Sequence, residues 1–239
     1  MRTGPPTLGA PDDRLGVLFD IDGTLLDTRG AGQRSFVRAL ETVFGWRDDI
    51  AYVSFAGNTD LNVLQQVMAA HGRELNETDR RTFFARLPEE LERAAEGVEL
   101  ILFPGVRELL EALSAAPRAL LGLVTGNIEA CARIKLRHCE LHGHFVLGAF
   151  GDEHADRERI AHLALQRLHE ALAPGARLSA CYLVGDTPFD ITAASSIGAV
   201  SVAVATGKFD AAALRQAGAD HVLTDLSDTA AVLRLLGLR

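Results

Sequence analysis

From Phe103 to its end the chain repeats one rhythm, a short apolar run of strand length followed by an amphipathic stretch of helical period. The pattern predicts helices over 106–113, 128–137, 156–172, 188–197, 211–217 and 226–235. It predicts strands over 119–124, 145–147, 178–184, 200–204 and 221–223. Strands separated by helices cannot pair as tight hairpins. Each reaches the next through a crossover, and the result is a parallel sheet covered on both faces. The expected class is α/β with a Rossmann-like parallel core.

One further strand lies upstream. Val17-Leu18-Phe19 is brief, apolar and β-branched at its start, and it runs into Asp20-Ile21-Asp22-Gly23-Thr24-Leu25. Between Leu26 and Leu100 no strand is predicted, only helical periodicity. Phe36, Val37, Leu40, Val43 and Phe44 mark one face of a helix over 31–44, and two more helices are expected over 61–71 and 77–95. Pro88 is expected to interrupt the last of these. The predicted organisation is a loose tail over 1–14, an α/β core built from 15–26 and 103–239, and a helical insertion over 27–102.

Composition removes several classes of function. The 239 residues are 48% hydrophobic with a net charge of -8 and no basic tract, so nucleic acid is not an expected partner. No run approaches the roughly 20 apolar residues that a membrane-spanning helix requires, so no membrane association is expected. The proline-rich start has no apolar segment of the kind a secretory signal carries. Cys131, Cys139 and Cys181 form an odd, scattered set. That argues against a disulfide framework and for a reducing, cytoplasmic setting. Lysine occurs only at positions 135 and 208, and arginine supplies the remaining positive charge.

In open parallel sheets, ligands bind beyond the carboxyl ends of the strands. Three of the predicted strands end in polar residues suited to this: Asp20 and Asp22, Thr125-Gly126-Asn127, and Gly185-Asp186 with Asp190 beyond. Asp20 and Asp22 in extended geometry would share one side and repel each other unless a cation or a proton intervened. Asp20, Asp22 and Asp186 converging would attract a hard divalent cation, and Mg²⁺ suits oxygen ligands with waters. A hydroxyl followed by glycine at a helix start offers Thr125 and free backbone N–H groups to an anion. A nucleophile, a metal site and an anion cradle are the parts phosphoryl transfer needs.

Four segments, Asp20-Ile21-Asp22-Gly23-Thr24-Leu25, Phe103-Pro104-Gly105-Val106, Thr125-Gly126-Asn127 and Gly185-Asp186-Thr187-Pro188-Phe189-Asp190, together resemble the motifs of haloacid dehalogenase superfamily phosphatases of the phosphoglycolate phosphatase-like branch. The insertion falls where that family carries a cap domain. The resemblance implies a Mg²⁺-dependent phosphatase acting on a small phosphorylated metabolite, of phosphoglycolate or sugar phosphate type, through an aspartyl-phosphate. It implies that Asp20 is the nucleophile and Asp22 the general acid and base. Asp20, Asp186 and the Asp22 carbonyl would bind metal, with Asp190 holding metal-bound water or orienting its neighbours. Thr125, Gly126 and Asn127 would bind phosphoryl oxygens, and Thr24 would brace the first loop.

The family pattern also has a basic residue, usually Lys before Pro, ahead of the helix that leads to the Gly-Asp motif. Here the segment reads Gly151-Asp152-Glu153-His154-Ala155-Asp156-Arg157-Glu158-Arg159. Arg157 is assigned to that role as catalytic and phosphate-binding residue, with Arg159 two positions away as the alternate. Asn58 and Thr59 are candidate specificity residues, or with Asp60 a helix cap. Phe55 and Trp46 read as core of the insertion. His138, Cys139, His142 and His144 lack the spacing of a transition-metal site, and His154 is a polar candidate at the cleft. A phosphomutase of the same superfamily, or a receiver-like phosphate-sensing module without catalysis, are the competing functions. A dehalogenase would not carry Asp22, and a phosphonatase would need a cap lysine that 27–102 lacks.

Overall fold

The structure, a computed structural model, describes residues 13–238. In chain order the elements are β1 (Asp13–Phe19), β2 (Leu26–Asp27), α1 (Ala31–Phe44), α2 (Asp60–Ala70), α3 (Glu77–Ala95), β3 (Ile101–Leu102), α4 (Val106–Ser114), β4 (Ala119–Val124), α5 (Glu129–His138), β5 (Leu147–Ala149), α6 (Arg157–Glu170), β6 (Arg177–Gly185), α7 (Pro188–Ser196), β7 (Val200–Val204), α8 (Ala211–Gln216), β8 (His221–Leu223) and α9 (Thr229–Leu235).

Six strands form one sheet in the order β5-β4-β1-β6-β7-β8, and every pairing in it is parallel. β1 lies inside the sheet and alternates its faces. Leu15, Val17 and Phe19 pack with residues of α4, α5 and α9, whereas Leu18 packs with residues of α6 and α7. After β1 the chain builds outward through β4 and β5, then crosses to the other side of β1 for β6, β7 and β8. The strand order therefore reverses at β1, and a crevice opens beyond the carboxyl ends of β4, β1 and β6.

The insertion has its own apolar cluster. Phe36, Leu40, Val63, Val67, Met68, Phe83, Leu87 and Leu91 come from α1, α2 and α3, and Ile128, Cys131 and Ile134 at α5 join them. The two-stranded antiparallel pair β2–β3 closes its base, with Leu26 opposite Leu102.

Three expectations are corrected. Asp13 and Arg14 belong to β1, paired with Arg177 and Leu178, and are not tail. The rest of the expected tail lies outside the described residues. Helix α3 runs through Pro88 without a break, because Phe83, Leu87 and Leu91 stay buried at helical spacing on both sides of it. Tertiary packing outweighs the hydrogen bond that proline removes. The fifth strand begins at Leu147, because Phe145 leaves the sheet to pack edge-on against Phe19, with ring centroids 6.1 Å apart.

Candidate active site

The three strand ends named from sequence meet at the switch point. β1 delivers Asp20 and Asp22, β4 delivers Thr125, and β6 delivers Asp186. Their side chains line a cavity of about 420 Å³ whose other wall comes from the insertion.

Asp20, Asp186 and Asp190 are buried, each with an oxygen within 4.8 Å of the others'. Among the described residues one cation pairs with them. Arg157 Nη2 lies 3.0 Å from Asp20 Oδ1, and its Nη2 and Nε donate to Asp190 Oδ1 at 2.6 and 3.0 Å. Local capping puts it there. Asp156 accepts from Glu158 N at 2.9 Å, so α6 starts at Arg157 and turns that side chain inward. Arg159, two residues on, is exposed on another face of the helix. The other oxygen of Asp190 accepts from Thr187 N and Oγ1 in the capping box of α7, and Pro188 occupies the first helical position. Asp190 is thus shared between Arg157 and the helix start.

Three carboxylates against one guanidinium leave an excess of buried negative charge. Burial raises the pKa of Asp20 to about 6 although Arg157 opposes it, and Asp190 and Asp22 push the same way. Burial with the charges of Asp20 and Asp190 lifts Asp186 to about 8. Such a donor set fits a hard divalent cation, which would favour all three ionised forms. The surroundings hold it closely. Thr24 Oγ1 donates to Asp186 Oδ1 at 3.3 Å, the bracing expected of it, and a Cβ on Gly23, where φ is +84°, would lie 2.4 Å from Asp186 Oδ2.

Asp22 differs from its expectation. The chain leaves strand geometry at Phe19, and the Asp22 carboxylate, though Asp22 lines the same cavity, stands outside the acidic trio. It faces Lys135, whose Nζ donates to Asp22 Oδ1 and Oδ2 at 2.8 and 2.6 Å and to Asn127 Oδ1 at 2.6 Å. Asn127 Nδ2 donates to Asp22 Oδ2 at 2.6 Å and to Thr125 Oγ1 at 2.8 Å. Thr125 Oγ1 also accepts from Asn127 N at 3.3 Å, which leaves the hydroxyl hydrogen free to point into the cavity. The backbone N–H groups of Ile21, Asp22 and Gly126 donate to no group among the described residues and remain for an anion.

Sequence reasoning missed Lys135. It sits within α5, among residues read only as helical, and its scarcity was the one available signal. Burial pulls its pKa down, but Asp22 and Asp60 more than offset this and it stays a cation.

The insertion docks on the core through the start of α2. Thr59 caps that helix by accepting from Asn62 N, and its Oγ1 donates to Ala155 O at 2.9 Å. Thr59 is buried and off the cavity wall, whereas Asn58 lines it. Asp60 N donates to Gly126 O at 2.7 Å, and Asp60 Oδ2 accepts from Ile128 N at 2.8 Å. A Cβ on Gly126 would lie 1.9 Å from Asn58 O, so only glycine allows this approach. Phe55 lines the cavity and also packs edge-on against Phe36, while Trp46 stacks on His71 away from it.

The histidine candidates do not converge. His138 meets Glu92, His144 meets Ser114, and His154 accepts from Asp156 N at an exposed turn. Among the described residues the acidic trio alone groups ligands for a metal ion. The three cysteines are buried and unpaired, and no described helix is long and apolar enough to cross a membrane.

Comparisons with known proteins agree with this geometry. The family model described as haloacid dehalogenase-like hydrolase matches residues 17–204. The probable phosphatase IndB of Dickeya dadantii is 30% identical over 196 residues, covering 80% of this chain and 81% of that protein. The phosphoglycolate phosphatase of Agrobacterium fabrum is 28% identical over 196 residues, covering 81% of each. Among solved structures, a protein assigned as a beta-phosphoglucomutase from Thermotoga maritima superposes with a TM-score of 0.60 at 27% identity, over 92% of this chain and 99% of that one.

Proposed function

The chain belongs to the haloacid dehalogenase-like hydrolases, and we propose on that footing that it is a phosphoric monoester hydrolase that works through an aspartyl-phosphate. The observation that carries the reading is Asp20, 3.0 Å from Arg157 inside the acidic trio, at the switch point of the sheet. Related proteins named as phosphatases support the same class.

Asp20 attacks phosphorus. Its carboxylate oxygen bonds to phosphorus as the bond to the leaving oxygen breaks, and the departing electron pair takes a proton from Asp22. In the second step Asp22 accepts a proton from water, whose oxygen bonds to phosphorus while the aspartyl–phosphorus bond breaks and frees Asp20. Arg157, the Thr125 hydroxyl and the free N–H groups of Ile21, Asp22 and Gly126 face the equatorial oxygens. Asp20, Asp186 and the Asp22 carbonyl would hold Mg²⁺, with Asp190 fixing Arg157 beside them. Bound there, the ion supplies charge neutralisation for the transferring group.

The insertion over 27–102 acts as the cap that covers the leaving group. Gln33, Ser35, Asn58, Phe36, Phe55 and Leu87 line its side of the cavity, with no cation among the cap residues there. An uncharged, hydroxyl-bearing leaving group fits this wall. Of the cations that line the cavity, Lys135 is engaged by Asp22 and Asn127 and Arg157 by Asp20 and Asp190, whereas Lys208, exposed on the core side after β7, makes no ion pair among the described residues and suits a carboxylate such as that of glycolate. The cap wall fits a sugar phosphate and Lys208 fits a carboxylate, so both expected substrate types stay within the reading.

Phosphate release from a panel of phosphorylated metabolites, with Mg²⁺ and then with chelator, tests the reading. Metal-dependent release is expected, and the ratio between sugar phosphates and 2-phosphoglycolate reads whether the cap wall or Lys208 sets the preference. The likeness to the mutase-assigned structure supports a second reading. Isomerisation of β-glucose 1-phosphate without release would select it.

A further inference from the structure

A buried lysine is costly, because removing an ammonium from water is repaid only by well-placed partners. Lys135 is 3% exposed, and its nearest neighbours on α5, Ile134 and Leu136, are both apolar and buried. An apolar residue would suit the packing there. Instead the long stem runs back toward the start of its helix, as helical side chains do, and spends its ammonium on Asp22 and Asn127. The choice of lysine is specific in a chain that has only two lysines against 22 arginines. A compact ammonium with three donors fits three oxygens crowded within 2.8 Å, whereas a planar guanidinium would force them apart.

Asp22 has little else to fix it. Its side chain is 40% exposed, and among the described residues its only other donor is the amide of Asn127, which Lys135 also holds by its oxygen. Removing Lys135 would release both ends of this arrangement, so that Asp22 turns freely in the cavity mouth.

We propose that Lys135 is a positioning residue which holds the Asp22 carboxyl group, directly and through Asn127, in the place from which it exchanges a proton with the leaving oxygen. The proposal rests on the hydrolase reading above. The proton transfer it serves matters in proportion to how poor the leaving group is. An alkoxide must be protonated as the phosphorus–oxygen bond breaks, whereas p-nitrophenolate departs without a proton. Loss of Lys135 therefore discriminates between substrates, which a packing defect would not do.

The test compares wild type, Lys135→Met and Lys135→Arg with Mg²⁺ on two substrates, p-nitrophenyl phosphate and the best alkyl phosphate of the panel. For Lys135→Met the expected loss in kcat/KM, which reports the steps through departure of the leaving group and not the later hydrolysis that Asp22 also serves, is about 100-fold on the alkyl phosphate and less than about 5-fold on p-nitrophenyl phosphate. Lys135→Arg keeps a donor but misplaces it, and should fall between wild type and Lys135→Met on the alkyl phosphate alone. Equal losses in kcat/KM on both substrates, or no loss on the alkyl phosphate, would overturn the proposal. Lys135→Gln, which retains a neutral donor, carries the same comparison should Lys135→Met not fold. Wild-type protein that releases phosphate from neither substrate would overturn the hydrolase reading and this proposal with it, an outcome distinct from equal losses in the variant.

Discussion

The two aspartates of the first loop stand two residues apart and are served by two different cations in two different ways. Asp20 meets Arg157, a rigid fork shared with Asp190, inside a cluster whose negative charge exceeds what one guanidinium can balance. Asp22 meets Lys135, and with Asn127 their hydrogen bonds close among themselves. The first end of the cavity is electrostatically unfinished and fits a divalent cation. The second is nearly complete and fits a group that must be held still. Burial alone explains neither arrangement. The number and shape of the donors decide what each end can do.

The largest expected effect tests the first end. Asp20→Asn should lower turnover by about 10⁴-fold or more, because an amide of the same shape is a poor nucleophile. Its thermal midpoint should not fall, since the amide carries no charge to desolvate at a site where burial raises the carboxylate's pKa to about 6. Residual turnover near the wild-type rate would remove Asp20 from the nucleophile role.

Arg157→Ala comes next, with an expected loss in kcat of about 10²- to 10³-fold, while Arg159→Ala should stay within about twofold, as an exposed side chain away from the cleft. Arg157→Ala should also lower stability, because Asp20 and Asp190 lose their buried partner. A larger effect at Arg159 would contradict the helix phase observed for α6.

Gly126→Ala probes the seam between the two layers. The added methyl meets Asn58 O, so the start of α2 must move, and the bond Asp60 N donates to Gly126 O and the bond Asp60 Oδ2 accepts from Ile128 N both weaken. The thermal midpoint should drop and KM should rise for substrates that reach the cap. An unchanged midpoint would mean that this docking contributes little to stability.

The smallest effect is on pH dependence. Burial lifts Asp60 to about 6 against an ordinary 3.8, with Lys135 and the Ile128 N–H opposing the shift. The folded state then binds this proton more tightly than the unfolded state. The group's contribution to stability is fully present below about pH 4 and declines as pH rises through about 6. Asp60→Asn should flatten that part of the stability profile, read as denaturation midpoints at about pH 4.5 and 7. A variant that loses stability with rising pH as steeply as wild type would assign the slope to other carboxylates.

Much of this site is legible along the chain. A parallel α/β core follows from the alternation after Phe103, and Asp20, Thr125 and Asp186 follow because each closes an apolar run, where a sheet of this kind presents its ligands. These features are local, set by period and by residue type at a strand end. The rest depends on phase and approach. Arg157 is distinguished from Arg159 because Asp156 caps α6 and fixes which face of that helix turns inward. Thr59 is read as a cap and tether because α2 packs its start onto the loops of Gly126 and Gly151.

Lys135 is the clearest case. Its sequence neighbours indicate only a helix, and its partner Asp22 lies 113 residues away. The sequence by itself determined which strands end in carboxylates and in what order, since hydrophobic period and turn chemistry act over a few residues. The tertiary structure alone decided which cation faces which carboxylate, because that depends on the rotation of α5 and α6 about their axes once they are packed against the sheet.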